Sequence, residues 1–467
     1  MRNLDVTGML DAARFNAFHA RLLLWGALII VFDGYDLVIY GVVLPALMND
    51  WGLTALQAGL LGSCALMGMM LGALIFGPLA DYIGRRRSIF MCVALFSSFT
   101  VLNGFADSPE AFAVLRLLAG VGLGGVMPNI IALMNEYAPR KQRSTLIALM
   151  FSGYAAGGML SAGLGMLIVP AWGWRPLFFM AAVPLLVLPL LIRQLPESIN
   201  FLLRSGQRQR AQLLLQRVLP RYVGQPSDHL LGEEGQQTRV SIIQLFQDGR
   251  LINTLLLWLA FACSLLMIYG LSAWLPKMMT MAGYALTSSI AFLLILNAGA
   301  IVGSLFGGWL ADRCGLGRVL LAFLAASGVV LGLMAVKSPL SVMYVLIGIA
   351  GAGTTGAQIL ANAFAVQSYP AHIRSTGLGW AMGIGRIGAI VGPLLGAVLQ
   401  GFTLPLQVSF LVFAIPGLIG AAAIGVFLIR TSRWQDVVLE FDLPNPPPHP
   451  SVDSQNDPRL WVRSPDL

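Results

Sequence analysis

Two aspartates, Asp33 and Asp36, interrupt an otherwise apolar stretch of the chain that runs from residue 22 to residue 47. If this stretch is a membrane-spanning helix that begins near Arg21, a rise of about 1.5 Å per residue places Asp33 roughly 18 Å along it, near the bilayer centre. A carboxylate at that depth costs about 2.5–3.5 kcal/mol on insertion scales, so we expect a function to maintain it there. The pattern indicates a site that handles a proton or a substrate, and a capping or kinking role beside Gly34 is the alternative.

Two arginines, Arg116 and Arg386, also lie inside apolar segments. Arg386 comes about 11 residues after Ser375, which places it roughly 16 Å into its segment. Because arginine is deprotonated only with great difficulty, each guanidinium is expected to pair with an acid or to bind an anion rather than to carry a proton. The candidate anions are Asp33, Asp36 and a bound carboxylate, since a guanidinium matches carboxylate geometry. Snorkelling toward the outer leaflet is the alternative for Arg116.

Tyr35 and Asn297 supply uncharged polar groups in the predicted spans and could hydrogen-bond a substrate. Contact between helices is the commoner role of an amide in a span, so that role stays open. An enzyme is not expected, because the four histidines lie outside the predicted spans and no paired metal-ligand or nucleophile–base spacing occurs. We therefore predict no catalytic residues, no metal site and no cofactor.

The composition is that of a polytopic membrane protein. Of the 467 residues, 57% are hydrophobic and 11% are charged, whereas about 25% are charged in a typical soluble domain. Twelve apolar segments are long enough to cross a bilayer as helices. They cover residues 22–47, 55–80, 88–106, 111–135, 145–168, 174–194, 251–276, 287–311, 318–336, 340–366, 376–399 and 405–429.

An internal repeat relates the two halves of the chain. At one offset of 231 residues (308 − 77), three separated motifs of the first half match the second half. The matching pairs are 77–81 with 308–312, Gly120 with Gly351, and Arg143 with Arg374. The sequence therefore predicts an all-α membrane protein of twelve helices in two pseudo-symmetric six-helix bundles. In transporters, such repeats place the binding site between the bundles, near the midplane.

The basic residues predict the orientation. With both termini in the cytoplasm, three Lys or Arg fall in outside loops and two inside spans, which leaves 24 of 29 in cytoplasmic segments (29 − 3 − 2). The predicted parts are a cytoplasmic N-terminal tail (1–20), a first bundle (21–195), a cytoplasmic central loop (196–250), a second bundle (251–430) and a disordered cytoplasmic tail (431–467). Within the central loop, residues 200–219 mix apolar side chains with arginines, which predicts a helix on the inner membrane surface. A solvated linker helix is the alternative.

The loop after the second span combines glycines, an acid and three arginines. Gly77 and Gly84 permit a tight turn between closely packed helices, and Asp81 can pair with Arg85 or Arg86. This pattern resembles the signature loop of the major facilitator superfamily. The resemblance implies that these residues latch the cytoplasmic side of the protein in its outward-open state.

The resemblance to the superfamily extends to Glu136 and to the corresponding loop of the second half. Glu136, at the end of the fourth span, looks like the partner of the arginines near Arg85. In the second half, Asp312 and Arg313 are the counterpart of the acid and arginines. That loop departs from the full pattern because it lacks the triple arginine.

A closer resemblance is carried by motifs in several spans and loops. These motifs are Asp33-Gly34-Tyr35-Asp36, Arg116 with the following Met127-Pro128-Asn129, Glu136-Tyr137-Ala138-Pro139, Leu195-Pro196-Glu197-Ser198 and Gly385-Arg386-Ile387-Gly388. They resemble the aromatic acid:proton symporter family of the superfamily, and most of all its bacterial benzoate transporters. The resemblance implies that the two aspartates of the first motif are needed for proton coupling, and that Arg116 and Arg386 are needed for transport.

The expected function is therefore proton-coupled import of a small aromatic carboxylate, with benzoate as the expected substrate, across a bacterial inner membrane by alternating access. The expected partners are this substrate, protons and the lipid bilayer. No nucleic acid is expected, and the chain is expected to work as a monomer. The alternatives are an exporter of lipophilic compounds and a symporter of another organic acid, such as hydroxybenzoate.

Overall fold

The computed structural model describes most of the chain as helix. Residues up to Phe427 form one compact unit, and the chain from Leu428 onward forms a second. The residues that the structure describes are 2–220, 222, 228–231, 242–247, 249–336, 338–370, 373–402 and 405–441.

The first half begins with a short strand and a short helix, which precede the helices of the first bundle. In chain order these elements are β1 Arg2–Asp5, α1 Val6–Asp11, α2 Ala17–Trp51, α3 Ala55–Ile83, α4 Arg85–Asn103, α5 Pro109–Tyr137, α6 Arg143–Trp172, α7 Arg175–Phe179 and α8 Ala182–Gln194. Two shorter helices follow, α9 Ile199–Arg204 and α10 Arg208–Val218.

The second half follows a short strand and a 3-10 turn. The elements are β2 Asp228–Leu231, the turn Ile242–Leu245, α11 Leu251–Met281, α12 Leu286–Cys314, α13 Leu316–Leu333, α14 Leu340–Gly351, a π-helical turn Ala352–Gly356, α15 Ala357–Ser368, α16 Arg374–Gly401 and α17 Leu406–Phe441.

Eleven helical segments of the described chain are long and apolar enough to cross a membrane. Two of them combine neighbouring helices, α7 with α8 and α14 with α15. The one remaining predicted span, 88–106, corresponds to α4, whose first turn contains three arginines. The twelve-helix prediction is therefore confirmed. Helix α17 runs on to Phe441, past the predicted end at residue 429, and the rest of the predicted tail, 442–467, lies outside the described residues.

The two halves repeat one turn geometry. Gly84 ends α3 with φ 97°, and Gly315 ends α12 with φ 88°. Only glycine adopts such angles without strain. The two positions are separated by the same offset as the sequence motifs (315 − 84 = 231). The sequence repeat therefore coincides with a repeat of backbone structure.

Glycines bring the backbones of α3 and α5 into direct contact. A Cβ atom added at Gly68 would lie 2.0 Å from the Leu117 carbonyl oxygen, and one added at Gly120 would lie 2.1 Å from that of Ala65. Close packing of this kind stabilises helices in a bilayer, where lipid removes the hydrophobic driving force between them. The glycines near Arg116 thus serve helix packing.

The corresponding part of the second half is less regular. The π-helical turn Ala352–Gly356 separates α14 from α15 and directly follows Gly351, the repeat counterpart of Gly120. Such turns are rare and occur frequently at functional positions. The repeat is therefore broken locally in the tenth predicted span.

The segment between the halves packs against the first bundle. Strand β1 pairs in parallel with β2. The side chains of Leu202, Leu215 and Val218 are buried within the same hydrophobic cluster as Leu22 and Leu133 of the bundle. The prediction that the apolar side of residues 200–219 lies on the membrane surface is therefore wrong for these three residues, because protein covers them.

Candidate functional site

Asp36 on α2 is held within the first half by an ion pair and a further hydrogen bond. Arg116 Nη1 on α5 donates to Asp36 Oδ2 at 2.9 Å, and Thr100 Oγ1 on α4 donates to Asp36 Oδ1 at 2.5 Å. Both charged side chains are only 1% exposed. Each buried charge is thus compensated by the other, as burial requires. Arg116 does not snorkel, so that alternative is wrong.

Thr100 was not singled out by the sequence analysis. A single threonine in an apolar span forms no recognisable pattern, and its role depends on how α4 packs against α2. Its hydroxyl satisfies the second carboxylate oxygen of Asp36. The acid is therefore fully hydrogen-bonded.

Asp33 lies one helical turn before Asp36 and has no such compensation. Its side chain is fully buried, and neither carboxylate oxygen has a hydrogen-bond partner among the described residues. Helix α2 is continuous through this position, so capping does not account for the acid. A buried carboxylate without partners is costly as an anion. Asp33 therefore needs either a proton or a nearby cation.

Arg386, on α16 of the second half, supplies a cation near Asp33. The two groups interact electrostatically, but no hydrogen bond joins them. Arg386 Nη1 lies 3.5 Å from the Tyr269 hydroxyl oxygen and 3.7 Å from Met69 Sδ. Within the described part of the chain, Arg386 forms no ion pair. Its guanidinium therefore retains donors for an anion.

Gly34 allows α6 to approach the aspartates. A Cβ atom at this position would lie 2.0 Å from the carbonyl oxygen of Tyr154 on α6. The contact brings Tyr154 next to Asp33, with which it interacts electrostatically, and its hydroxyl also interacts with that of Tyr269. The glycine between the acids is thus a site of close helix packing.

Several contacts between the described parts of the two halves lie on one side of the midplane. We call the end of the bundles that carries Arg85 the basic end, and the opposite end the far end. Between the midplane and the far end, Ser63 Oγ on α3 donates to the Ile390 carbonyl oxygen on α16 at 2.8 Å. A Cβ atom at Gly41 on α2 would lie 1.7 Å from the Ser272 carbonyl oxygen on α11. Helices of opposite halves are therefore in backbone contact toward the far end.

The surroundings of Arg386 are more open toward the basic end. Gly379 and Gly383 lie on the same face of α16 as Arg386, nearer the basic end. A Cβ atom added at either glycine would meet no other atom within 4 Å. The space beside Arg386 thus continues toward the basic end.

A small cavity lies beside Arg116. Its volume is about 20 Å³, and Tyr40, Arg116, Tyr269 and Ser272 are among the residues that line it. This volume holds one water molecule and excludes an aromatic ring. An aromatic ligand of Arg386 must therefore occupy the more open side, toward the basic end.

Tyr35 and Asn297 are engaged in contacts between helices. The Tyr35 hydroxyl donates to the Leu177 carbonyl oxygen on α7 at 2.8 Å. Asn297 Nδ2 donates to the Leu293 carbonyl oxygen at 2.8 Å, and its Oδ1 would lie 2.5 Å from a Cβ atom at Gly158 on α6. Asn297 thus lies where the halves meet. Substrate binding by either side chain stays a prediction.

Glu136 is the centre of a polar network at the basic end. Arg85 Nη1 pairs with Glu136 Oε2 at 3.3 Å. Glu136 Oε1 accepts hydrogen bonds from Ser198 Oγ at 3.1 Å and from the Asn200 backbone N–H at 2.8 Å. The predicted pairing of Glu136 with Arg85 is therefore present, and it also involves the segment before α9.

Glu197 extends this network. Its Oε1 accepts the backbone N–H of Arg86 at 3.0 Å, and its backbone oxygen accepts the Tyr137 hydroxyl. Its carboxylate also approaches Gly84, where a Cβ atom would lie 2.5 Å from Oε2. Glu197 belongs to the motif Leu195-Pro196-Glu197-Ser198, but no role was predicted for it from the sequence. All the partners named here belong to the first half.

The remaining residues predicted for the latch lie outside this network. Gly77 has open space at its Cβ position, and Asp81 is exposed. Within the described part of the chain, neither Asp81 nor Asp312 takes part in an ion pair. The Arg313 guanidinium lies 4.0 Å from the ring centroid of Trp309. A latch built from these residues stays a prediction.

Comparisons with known proteins agree with this architecture. The chain matches the family model described as Major Facilitator Superfamily over residues 26–303 and 289–462. A benzoate transport protein of Acinetobacter baylyi is 42% identical over 98% of this chain and 97% of that protein. A gentisate transporter of Corynebacterium glutamicum is 36% identical over 90% of this chain and 89% of its own length.

Further matches extend the comparison. The 4-hydroxybenzoate transporter PcaK of Acinetobacter baylyi is 33% identical over 91% of this chain and 94% of its own. A solved structure of the xylose transporter XylE from E. coli, in a partially occluded inward open conformation, superposes with a TM-score of 0.70 at 16% identity, covering 88% of this chain and 99% of XylE. The chain is therefore a multi-pass membrane transporter of the major facilitator superfamily, and within it the chain groups with transporters of aromatic acids.

Proposed function

We propose that this protein is a proton-coupled symporter of small aromatic carboxylates, with benzoate as its substrate. The observation that carries the proposal is that Arg386, which has no ion-pair partner in the described chain, interacts electrostatically with the buried Asp33 across the boundary between the halves, although no hydrogen bond joins them. A guanidinium with free donors suits a carboxylate. The names of the relatives support an aromatic acid.

The surroundings of the two aspartates favour Asp33 as the proton carrier. Asp36 is satisfied by Arg116 and Thr100, so protonation would sacrifice a buried ion pair and leave Arg116 uncompensated. Asp33 has no hydrogen bond to lose among the described residues. Its protonation removes a costly buried charge.

Substrate and proton binding are then linked by charge. When the substrate carboxylate takes the donors of Arg386, the guanidinium no longer compensates Asp33. The Asp33 carboxylate accepts a proton from water, so the site gains one anion and one proton together. Import of one anion with one proton moves no net charge. A second proton would add about 2.3 kcal/mol of driving force per 100 mV of membrane potential. A current measurement in proteoliposomes distinguishes the two stoichiometries.

The proposal also covers the location and orientation of the protein in the membrane. The protein works by alternating access in a bacterial inner membrane, with the basic end and both termini in the cytoplasm, as the distribution of arginines favours. In that orientation, the space beside Arg386 opens to the cytoplasm and the far end is closed. A monomer contains both halves of the proposed site.

The test is uptake of labelled benzoate by purified protein in proteoliposomes, driven by a pH gradient. We expect wild-type protein to accumulate benzoate, Asp33→Asn to lose accumulation but keep exchange of internal for external benzoate, and Arg386→Ala to lose both. Matched controls are Asp107→Asn, at an exposed far-end position, and Arg210→Ala, on the exposed side of α10.

Uptake competition by a panel of acids identifies the preferred substrate. Competition by benzoate, 4-hydroxybenzoate, gentisate and hexanoate ranks the ligands. The proposal is wrong if wild-type protein accumulates none of the aromatic acids, or if Arg386→Ala transports them as well as wild type does. Preference for a hydroxylated acid would retain the mechanism and replace benzoate as the substrate.

A further inference from the structure

Tyr269 occupies a junction in the proposed site. From α11 of the second half, its hydroxyl oxygen lies 3.5 Å from Arg386 Nη1 on α16, and its hydroxyl also interacts with that of Tyr154 on α6 of the first half. Tyr269 further lines the one-water cavity beside Arg116. It therefore contacts the guanidinium and the opposite half at once.

The geometry around Arg386 raises a question about its pairing. A guanidinium and a carboxylate near each other in a low-dielectric environment attract each other strongly when neither has an ion-pair partner. Arg386 and Asp33 nevertheless form no hydrogen bond. The groups that hold Arg386 Nη1 are the Tyr269 hydroxyl and the Met69 sulfur, and of these the hydroxyl is the stronger acceptor.

We propose that Tyr269 is a positioning residue that holds Arg386 away from Asp33 and so keeps the guanidinium available for the substrate carboxylate. This inference rests on the proposed function. By accepting a hydrogen bond from Arg386, the Tyr269 hydroxyl prevents a direct Asp33–Arg386 ion pair. Without the hydroxyl, that pair forms, and a substrate has to break it before it can bind.

The other polar groups near Asp33 do not replace this role. Asp36 lies on the same helix and is satisfied by Arg116. Tyr154, on α6, interacts electrostatically with Asp33 and Arg386 and hydrogen-bonds with Tyr269, but the described hydrogen bonds of Arg386 go to Tyr269 and Met69 rather than to Tyr154. Among the described neighbours of Arg386, Tyr269 is therefore the residue whose hydroxyl can compete with Asp33.

A double-mutant cycle tests the inference by benzoate binding to purified full-length protein, measured by calorimetry. We expect Tyr269→Phe to weaken binding by about tenfold or more, which corresponds to one hydrogen bond to a charged group. Asp33→Asn should bind benzoate, and the double variant Asp33→Asn/Tyr269→Phe should bind as Asp33→Asn does. Once Asp33 is neutral, Arg386 has no competing acid and the Tyr269 hydroxyl is no longer needed.

Tyr369→Phe is the matched control. It removes a hydroxyl that donates to Thr254 Oγ1 at 3.3 Å. Thr254 lies on α11, as Tyr269 does, but away from Arg386. The Tyr369→Phe variant should bind benzoate as wild type does. Tyr269→Met removes the hydroxyl with a different side-chain shape and provides the same comparison if Tyr269→Phe does not fold.

Two results would overturn the inference alone. One is wild-type affinity in both Tyr269 variants. The other is an equal loss from Tyr269→Phe with and without Asp33→Asn, which would indicate direct substrate contact or a general structural role. If wild-type protein binds none of the aromatic acids, the proposed function fails and the inference fails with it.

Discussion

At the scale of single residues, one helical turn separates two different electrostatic environments. Asp36 has a cation and a hydroxyl within hydrogen-bond distance, whereas Asp33 has neither. A buried charge with hydrogen-bonded partners is compensated, whereas a buried charge without them is costly. Two acids of the same motif are therefore expected to contribute to different properties, one to stability and the other to transport.

The stability of the Asp36–Arg116 pair gives a residue-scale prediction. Arg116→Met leaves the Asp36 carboxylate buried without a cation, and loss of one partner of such a pair costs about 3–5 kcal/mol. The variant should therefore unfold at a clearly lower temperature in detergent, as followed by tryptophan fluorescence. The double variant Asp36→Leu/Arg116→Met removes both charges and should recover most of the loss. A double variant that melts no higher than Arg116→Met would contradict this account.

At the scale of elements, the contact between α2 and α6 determines where Tyr154 lies. The backbone of α6 reaches α2 at a glycine, so the two helices are closer there than side chains would permit. Distances between helices of this kind depend on a few small residues. A change at such a residue is therefore expected to displace every side chain that the helix carries.

Gly34→Ala tests this contact. The added Cβ atom would lie 2.0 Å from the Tyr154 carbonyl oxygen, so α6 has to move, at a cost of about 1–3 kcal/mol for overpacking. We expect a lower melting temperature and loss of benzoate accumulation. Gly308→Ala, within α12 and with no atom near its Cβ position, is the control and should melt at or above the wild-type temperature. Equal melting of the two variants would argue against close α2–α6 packing.

At the scale of the whole molecule, the two halves touch toward the far end, and the space beside Arg386 continues toward the basic end. This arrangement makes one side of the proposed site reachable from water. Alternating access requires the reverse arrangement at another stage of the cycle. Accessibility measured from each side therefore reports the state of the molecule.

Cysteine labelling measures this accessibility. In a background that lacks the exposed Cys314, Gly383→Cys should react with a membrane-impermeant maleimide in inverted vesicles, where the proposed cytoplasmic side faces outward. Ala397→Cys, at a position that is 1% exposed in the contact between halves, should react slowly from either side. Benzoate should protect Gly383→Cys. Faster reaction in right-side-out cells would reverse the proposed orientation.

The sequence predicted the helices and their repeat because apolar length and a fixed offset are properties of the chain itself. It did not predict which arginine pairs with which aspartate, because that depends on distances between helices far apart in sequence. Tyr154 and Tyr269 are intramembrane tyrosines that could hydrogen-bond a substrate, but they were not selected as site residues, since single tyrosines in apolar spans form no pattern. Residues 200–219 were assigned to the membrane surface because an apolar face looks the same whether lipid or protein covers it.

The location of the Asp36–Arg116 pair has a consequence for the energetics of the transport cycle. Its members, with Thr100, lie on α2, α4 and α5, all in the same half. If each half moves as a rigid body, these distances stay constant and the pair contributes the same free energy to every conformation. Its contribution then cancels from every equilibrium between conformations. Asp33 and Arg386 lie in different halves, so their separation varies as the halves move, and their interaction can shift those equilibria.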